Sequence, residues 1–329
     1  MSYRWKIGVL VAVLLAAAWA GIAFGSMPIT WSDLVAILSG RGDETSSFIM
    51  LQVRLPRVVI GLLVGLGLAV SGVVLQGMTH NDLASPSTLG INGGCGLGIM
   101  FLLVMYPTAA TTLPSLLPVA AVAGALSITI LVFALSYQHG IVLPSRLLLV
   151  GIAIGFGAQA AMLMLALRMS YSTYSNVVTW MSGTLANADW KSVWLLVPCC
   201  AVLIPIAWSR SRVLDTLSLG DQVATSLGVA VQRQRFVLIG IATVLTGTCV
   251  ALGSHIAFLG LVAPHLARRL VGVNHFRLIP AAALCGAILL IVADTLGRYL
   301  FAPVGMPAGV LVGALGGIYF LYLLATTKG

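Results

Sequence analysis

Charge is scarce in this sequence, and acid is scarcer still. The 329 residues include 8 Asp and Glu against 17 Lys and Arg, 8% charged in all. Soluble domains carry roughly 25%, so this chain lacks the charge to cover a water-exposed surface. No Gly-Lys dipeptide occurs, which excludes a Walker A phosphate loop and an ATPase site of that type in this chain. No C-x-x-C pair occurs either. The five cysteines (Cys95, Cys199, Cys200, Cys249, Cys285) are odd in number and lie in or beside apolar stretches, so neither a disulfide framework nor a zinc site is indicated. A Ser/His/Asp constellation of known spacing is missing, which leaves an intramembrane hydrolase without support. So is the strict apolar/polar alternation of a membrane barrel.

What the chain has in quantity is apolar sequence, 60% of its residues, with a mean hydropathy of +1.08. Apolar runs fall near 7–25, 58–77, 90–106, 116–136, 146–167, 192–208, 236–253, 256–271, 279–297 and 305–325. A helix needs ~20 such residues to cross a bilayer, and helices satisfy their own backbone there. The expected fold is an all-α polytopic membrane protein of about ten transmembrane helices. Arg4 and Lys6 precede a first run too long for a signal-peptide core, which reads as a retained span.

Placing the N-terminus inside puts Arg4, Lys6, Arg146, Arg210, Arg212, Arg233, Arg235, Arg268, Arg269, Arg277 and Lys328 in inner loops. Arg41, Arg54, Arg57, Arg168, Lys191 and Arg298 then fall outside. That bias favours cytoplasmic N- and C-termini. The inner segment 209–235 is too long for a turn and too polar to span. In it Leu217, Leu219, Val223 and Leu227 are interleaved with Asp221, Gln222 and Thr225. It divides one transmembrane domain, 1–329, into halves 1–208 and 236–329. An Arg-rich approach to a long helix in each half (Arg54 and Arg57; Arg233 and Arg235) suggests inverted half repeats of the transporter kind. Gly61, Gly65 and Gly72, and Gly151 and Gly155, sit at spacings that predict close helix packing in lipid.

Three features ask for more. Arg54, Arg57 and Arg298 lie outside, against the charge bias. Lipid anchoring would explain one of them, whereas a basic rim of three suits an acidic docking partner. The segment from Asn81 to Gly94 packs turn formers between two spans, where Ser85 or Ser87 could cap the next helix. The stretch from Gly253 to His265 is a short span broken by Gly260 and Pro264, of the kind that borders a transport pathway. His255 and His265 in it read as hydrogen-bonded structural residues rather than metal ligands. Asp294 is the only acid inside a predicted span, four residues before Arg298 on the same helix face, and reads as a structural ion pair. An ion-coupled secondary carrier would hold such groups deeper.

These motifs together resemble the permease subunits of iron-chelate, haem and cobalamin ABC importers, the FecCD family. The resemblance runs through Arg54-Leu55-Pro56-Arg57, the glycine-rich stretch Gly65–Gln76, Asn81–Gly94, Trp180–Leu185 with Trp190, Leu219–Val229, Ile256–His265, Ala293–Arg298 and Met306–Val310. It implies a type II importer permease that pairs with a second permease subunit, the same chain or a paralogue. Two ATPase subunits carrying ATP and Mg would bind inside, and a periplasmic or tethered solute-binding protein would dock outside. The permease itself would hold no cofactor. By the same resemblance Arg54, Arg57 and Arg298 would dock the binding protein. Leu219, Gly220, Asp221, Ala224, Leu227 and Gly228 would couple to the ATPases, and Leu143 and Pro144 would lie at the cytoplasmic gate. Asp82 stands where the family usually has proline. The implied cargo is a ferric siderophore crossing the bacterial inner membrane, with haem or cobalamin as the alternative and an ion-driven carrier as the different-class one.

Overall fold

The computed structural model describes residues 2–25, 36–37, 39, 42–109, 115–138 and 141–326, with backbone only at 320 and 322–326. Arg41 and Lys328, counted in the charge bias, lie outside these residues. In chain order the elements are α1 (Tyr3–Ala23), α2 (Glu44–Phe48), a π-turn (Ile49–Arg54) and α3 (Leu55–Thr79). Then come α4 (Ile91–Met105), α5 (Leu116–Ser136), β1 (Tyr137–Gln138), β2 (Ile141–Val142) and α6 (Pro144–Ala166). They continue with α7 (Tyr171–Met181), α8 (Trp190–Ser209), α9 (Ser211–Leu217) and α10 (Asp221–Ser226). The last four are α11 (Val231–Gly253), α12 (Leu259–Val271), α13 (His275–Leu300) and α14 (Ala308–Thr326). The two strands form one antiparallel hairpin, Tyr137 opposite Val142.

Each of the ten apolar runs falls on a helix. Seven of the described helices are long and apolar enough to cross a membrane, the continuous stretch Glu44–Thr79 among them. The chain is a multi-pass membrane protein. Besides α9 and α10 of the polar segment, two helices had no apolar run to announce them. One is α7, whose residues are mostly hydroxyl-bearing. The other is α2 with its π-turn, which extends α3 backwards and begins at an Asp43 cap accepting from the Thr45 and Ser46 amides. In the π-turn the Leu55 amide bonds Met50 O and the next residue, Pro56, has no N–H to give, so Leu51 O accepts from Trp190 Nε1 instead, at 2.9 Å.

α3 is apolar all round and buried nearly all round, as such a helix must be at the centre of a bundle. It runs antiparallel to α13, its most extensive neighbour, and crosses α11 and α12 as well. Lipid gives no hydrophobic drive for helices to meet, so small residues that let backbones approach carry the association. A methyl on Gly65 would lie 2.5 Å from Ala287 Cα and 2.6 Å from Gly286 O, and one on Gly72 would fall onto Gly260 O. α1, α5, α6 and α8 are apolar but mostly exposed, which leaves them as faces toward lipid or a neighbouring subunit.

The turn between α3 and α4 departs from the expected capping. α4 starts after Gly90 at φ +75°, with no side-chain cap. Ser85 instead pairs with Thr88 inside the turn, and Ser87 accepts from Asn92 Nδ2 at 3.0 Å. A left-handed residue at the helix start turns the chain too sharply for Ser85 or Ser87 to reach the first amides.

Candidate functional site

The helix ends sort the candidate residues into two groups. At one end, α1 stops at Ala23 with its last-turn carbonyls unsatisfied, the negative end of the helix dipole. Arg54 and Arg298 supply donors to them. Arg54 Nη1 donates to Ile22 O at 2.7 Å and Ala23 O at 3.2 Å. Arg298 Nη2 donates to Gly21 O at 2.8 Å and Nη1 to Phe24 O at 3.3 Å. Arg57, in the first turn of α3, forks onto Asp294 with Nη2–Oδ1 at 2.7 Å and Nε within 3.1 Å of both oxygens. Arg298 Nε reaches the same carboxylate at 3.1 Å, the i,i+4 pair read from the sequence. One carboxylate, 5% exposed, thus holds two guanidinium groups that are 15% and 14% exposed. All three arginines line a cavity of about 630 Å³, together with Thr179, Thr184 and the turn at 303–307. Arg54 is the most enclosed of the three, at 4%.

The other end collects the polar segment. Leu214, Leu217 and Ala224 are fully buried against the bundle, whereas Leu219, Val223 and Leu227 are 61%, 46% and 64% exposed. The interleaved pattern therefore resolves into two faces, one seated and one apolar and uncovered. Asp221 is tied down: Arg235 forks onto it at 2.8 and 2.7 Å and also donates to Val142 O at 3.0 Å. Gly220 (φ +98°) and Gly228 (φ +83°) bracket α10 in conformations that favour glycine. α11 begins at Val231, so Arg233 and Arg235 belong to its first two turns rather than to a loop before it. Leu143 caps α6 from 47% exposure with Pro144 at the helix start, and Val142 beside them is held by Arg235 and by Gln232 at 3.2 Å. The N-terminus lies at this end too, where Lys6 Nζ donates to Leu270 O at 2.5 Å and the Arg277 guanidinium lies over Tyr3. The Asp82 carboxylate pairs with Arg268 at 2.9 Å.

The asymmetry of the Asp221–Arg235 pair gives a prediction. Arg235 is 2% exposed and Asp221 39%. Removing the acid strands a buried cation, while removing the arginine leaves an acid that water can reach. Asp221→Ala is expected to destabilise by an amount near the lower end of the ~3–5 kcal/mol for breaking a buried pair, and Arg235→Met by less. Thermal unfolding of the purified variants checks the order; equal losses would mean the pair is not the anchor.

Between the ends lies the segment read as broken at Gly260 and Pro264. The break falls earlier, at 254–258, and α12 runs on through both residues, because the missing Pro264 N–H costs the helix only one bond near its start. The chain leaves α11 through Ser254 (φ +67°) and enters α12 from Phe258 (φ +63°). Ser254 Oγ donates to Thr184 O at 2.6 Å and His255 N to Trp180 O at 3.4 Å. Pro264 lacks the N–H that would bond Gly260 O. That carbonyl faces Gly72 across the helix crossing, with Gln76 Nε2 at 3.5 Å. Gly260 and Pro264 are buried in the bundle. His265 sits edge-on to Tyr319 with ring centroids 5.7 Å apart.

A sequence profile described as the FecCD transport family matches residues 10–326. The chain belongs to that family. It is 40% identical over 316 residues to the Fe(3+)-citrate import system permease protein YfmE of Bacillus subtilis, covering 96% of this chain and 93% of the relative. It is 36% identical over 322 residues to the iron(3+)-hydroxamate import system permease protein FhuG of the same organism, covering 97% and 96%. A solved structure described as an inward-facing metal-chelate type ABC transporter aligns with a TM-score of 0.85 at 28% identity, over 99% of this chain and all of that one. The fold is thus that of an ABC importer permease.

Sequence reasoning put the three arginines on one outer rim but could not see Arg57 meeting Asp294 across 237 residues, nor the α1 carbonyls that the other two hold. The exposed face of the polar segment was legible only as an amphipathic pattern.

Proposed function

We propose that this chain is the membrane permease of an importer for a ferric siderophore, driven by ATP hydrolysed on partner subunits, with haem or cobalamin as alternative cargo. The observation that carries the reading is family membership over nearly the whole chain, with named relatives of the iron(3+)-hydroxamate and Fe(3+)-citrate import systems. The two ends fit that role. A cleft with three arginines suits the acidic surface of a solute-binding protein, with Arg57 and Arg298 presenting charge and Arg54 holding the wall. At the opposite end the uncovered Leu219, Val223 and Leu227 would seat in an ATPase subunit, and Gly220 and Gly228 would set the angle of α10 in that seat. Cytoplasmic N- and C-termini agree with both assignments. Leu143 and Pro144, beside the anchored Val142, would gate the inner mouth of a path formed with a second permease subunit. Gly260, Pro264 and His265 would stiffen the wall behind it. The halves 1–208 and 236–329 would move about the segment 209–235.

Uptake of radiolabelled hydroxamate, catecholate and citrate iron chelates, haem and cobalamin in a strain lacking the gene, with and without its restoration, tests this. Gene-dependent uptake of one iron chelate, sensitive to vanadate, is expected. Uptake abolished by a protonophore and untouched by vanadate would overturn the importer reading.

A further inference from the structure

Asp215 and His275 stand 60 residues apart in sequence and meet where the polar segment touches the start of α13. Asp215 Oδ1 accepts from the His275 amide at 2.9 Å and from its ring Nδ1 at 2.7 Å, and Asn274 Nδ2 lies 3.4 Å from the other oxygen. An ionised carboxylate only accepts, so Nδ1 carries the hydrogen. His275 is 4% exposed, and a methyl on Gly77 of α3 would lie 2.6 Å from its Nε2. One turn further on, Pro280 has no N–H to give Phe276 O. Trp208, at the end of α8 just before the segment, donates Nε1–H to that carbonyl at 2.9 Å and stacks on the Phe276 ring with centroids 5.0 Å apart. The first turn of α13 is therefore a socket gripped from both sides. α13 continues unbroken for 26 residues, about 39 Å at 1.5 Å per residue. It crosses α3 at Gly65 and Gly286, and its far end carries Asp294 and Arg298.

We infer that Asp215 and His275 are positioning residues for transport, the joint through which the segment 209–235 moves α13 and, at the other end of that helix, the arginine cleft. The joint is stiff because one carboxylate holds both the amide and the ring of a buried histidine while Trp208 clamps the neighbouring carbonyl, so a displacement of the segment is passed on rather than absorbed locally. The pivot is the Gly65–Gly286 crossing, where the two backbones are too close to slide. This inference rests on the proposed seating of an ATPase against the segment's exposed face.

The complete importer in proteoliposomes, with radio-iron hydroxamate and citrate chelates as probes, separates this role from a merely structural one. The readout is chelate moved per ATP hydrolysed. Asp215→Ala and His275→Ala are each expected to lower that ratio roughly tenfold, within the usual range for coupling between sites, and the double variant no further. Asp215→Glu, which keeps the acceptor, should recover part of it. An unchanged ratio with fewer assembled complexes, or losses that multiply in the double variant, would overturn the joint. A wild-type complex that moves neither these chelates nor a catecholate chelate, haem or cobalamin, or that copurifies without an ATPase, overturns the reading of the function instead.

Discussion

Asp294→Ala is expected to lower the stability of the protein by about 3–5 kcal/mol, the cost of breaking a buried ion pair from one side. The size follows from the geometry. A single enclosed carboxylate faces Arg57 through a fork and Arg298 along its own helix, and without it two guanidinium groups confront each other with little water to screen them. Arg298 also grips the end of α1, so the loss spreads to a third helix. Net stabilities are only about 5–15 kcal/mol, so membrane yield and thermal stability in detergent should both fall. Asp294→Asn keeps the volume and loses the charge, and should behave similarly. Asp294→Ala combined with Arg57→Met should recover part of the loss, because an apolar pair of like volume often replaces a buried ion pair without penalty, while Arg298 keeps its α1 carbonyl but still lacks its acid. Full stability in Asp294→Asn would mean that the carboxylate charge does not hold the two arginines in place.

The second large effect concerns glycine. Gly72→Ala places a methyl on Gly260 O, a backbone atom in a short helix that is itself held by Pro86 and α3. Neither backbone can yield as a flexible side chain would, so α3 and α12 must separate along a crossing that depends on close approach. Overpacking typically costs about 1–3 kcal/mol, and a clash between two backbones belongs at or above the top of that range. Gly240→Ala is the matched control. It sits in the interior of α11 with nothing within 4 Å of the added carbon, and helix propensity predicts a gain of about 0.5–1 kcal/mol. Folded yield and thermal stability of the two variants, side by side, check the contrast. Equal tolerance at both positions would mean that α3 and α12 do not pack as described.

How much of this was legible beforehand depends on the range of the interaction. The spaced glycines of α3 announced a closely packed helix but not its central place, because the comparably apolar runs of α1 and α5 turn out mostly exposed. The Asp294–Arg298 pair was visible as a four-residue spacing. The partner that makes the acid a two-arginine hub was not, since Arg57 and Asp294 meet only when α3 and α13 lie antiparallel. The same holds for Asp215 and His275. α7 was missed because its exposed hydroxyl-bearing residues make no apolar run, and the start of α12 was blurred because the break at Ser254 and Phe258 lies in backbone conformation.

The sequence by itself determined that the chain is a polytopic helical membrane protein without an ATPase loop, which ends of its helices carry charge, and which family it belongs to. Those are properties of composition, local period and ordered motifs, and they survive without coordinates. Tertiary structure decided what the charges do. Whether an arginine faces a partner or holds a helix end, and whether an amphipathic segment is seated or uncovered, depends on which distant backbone atoms lie within 3 Å. Only the packed bundle sets those distances.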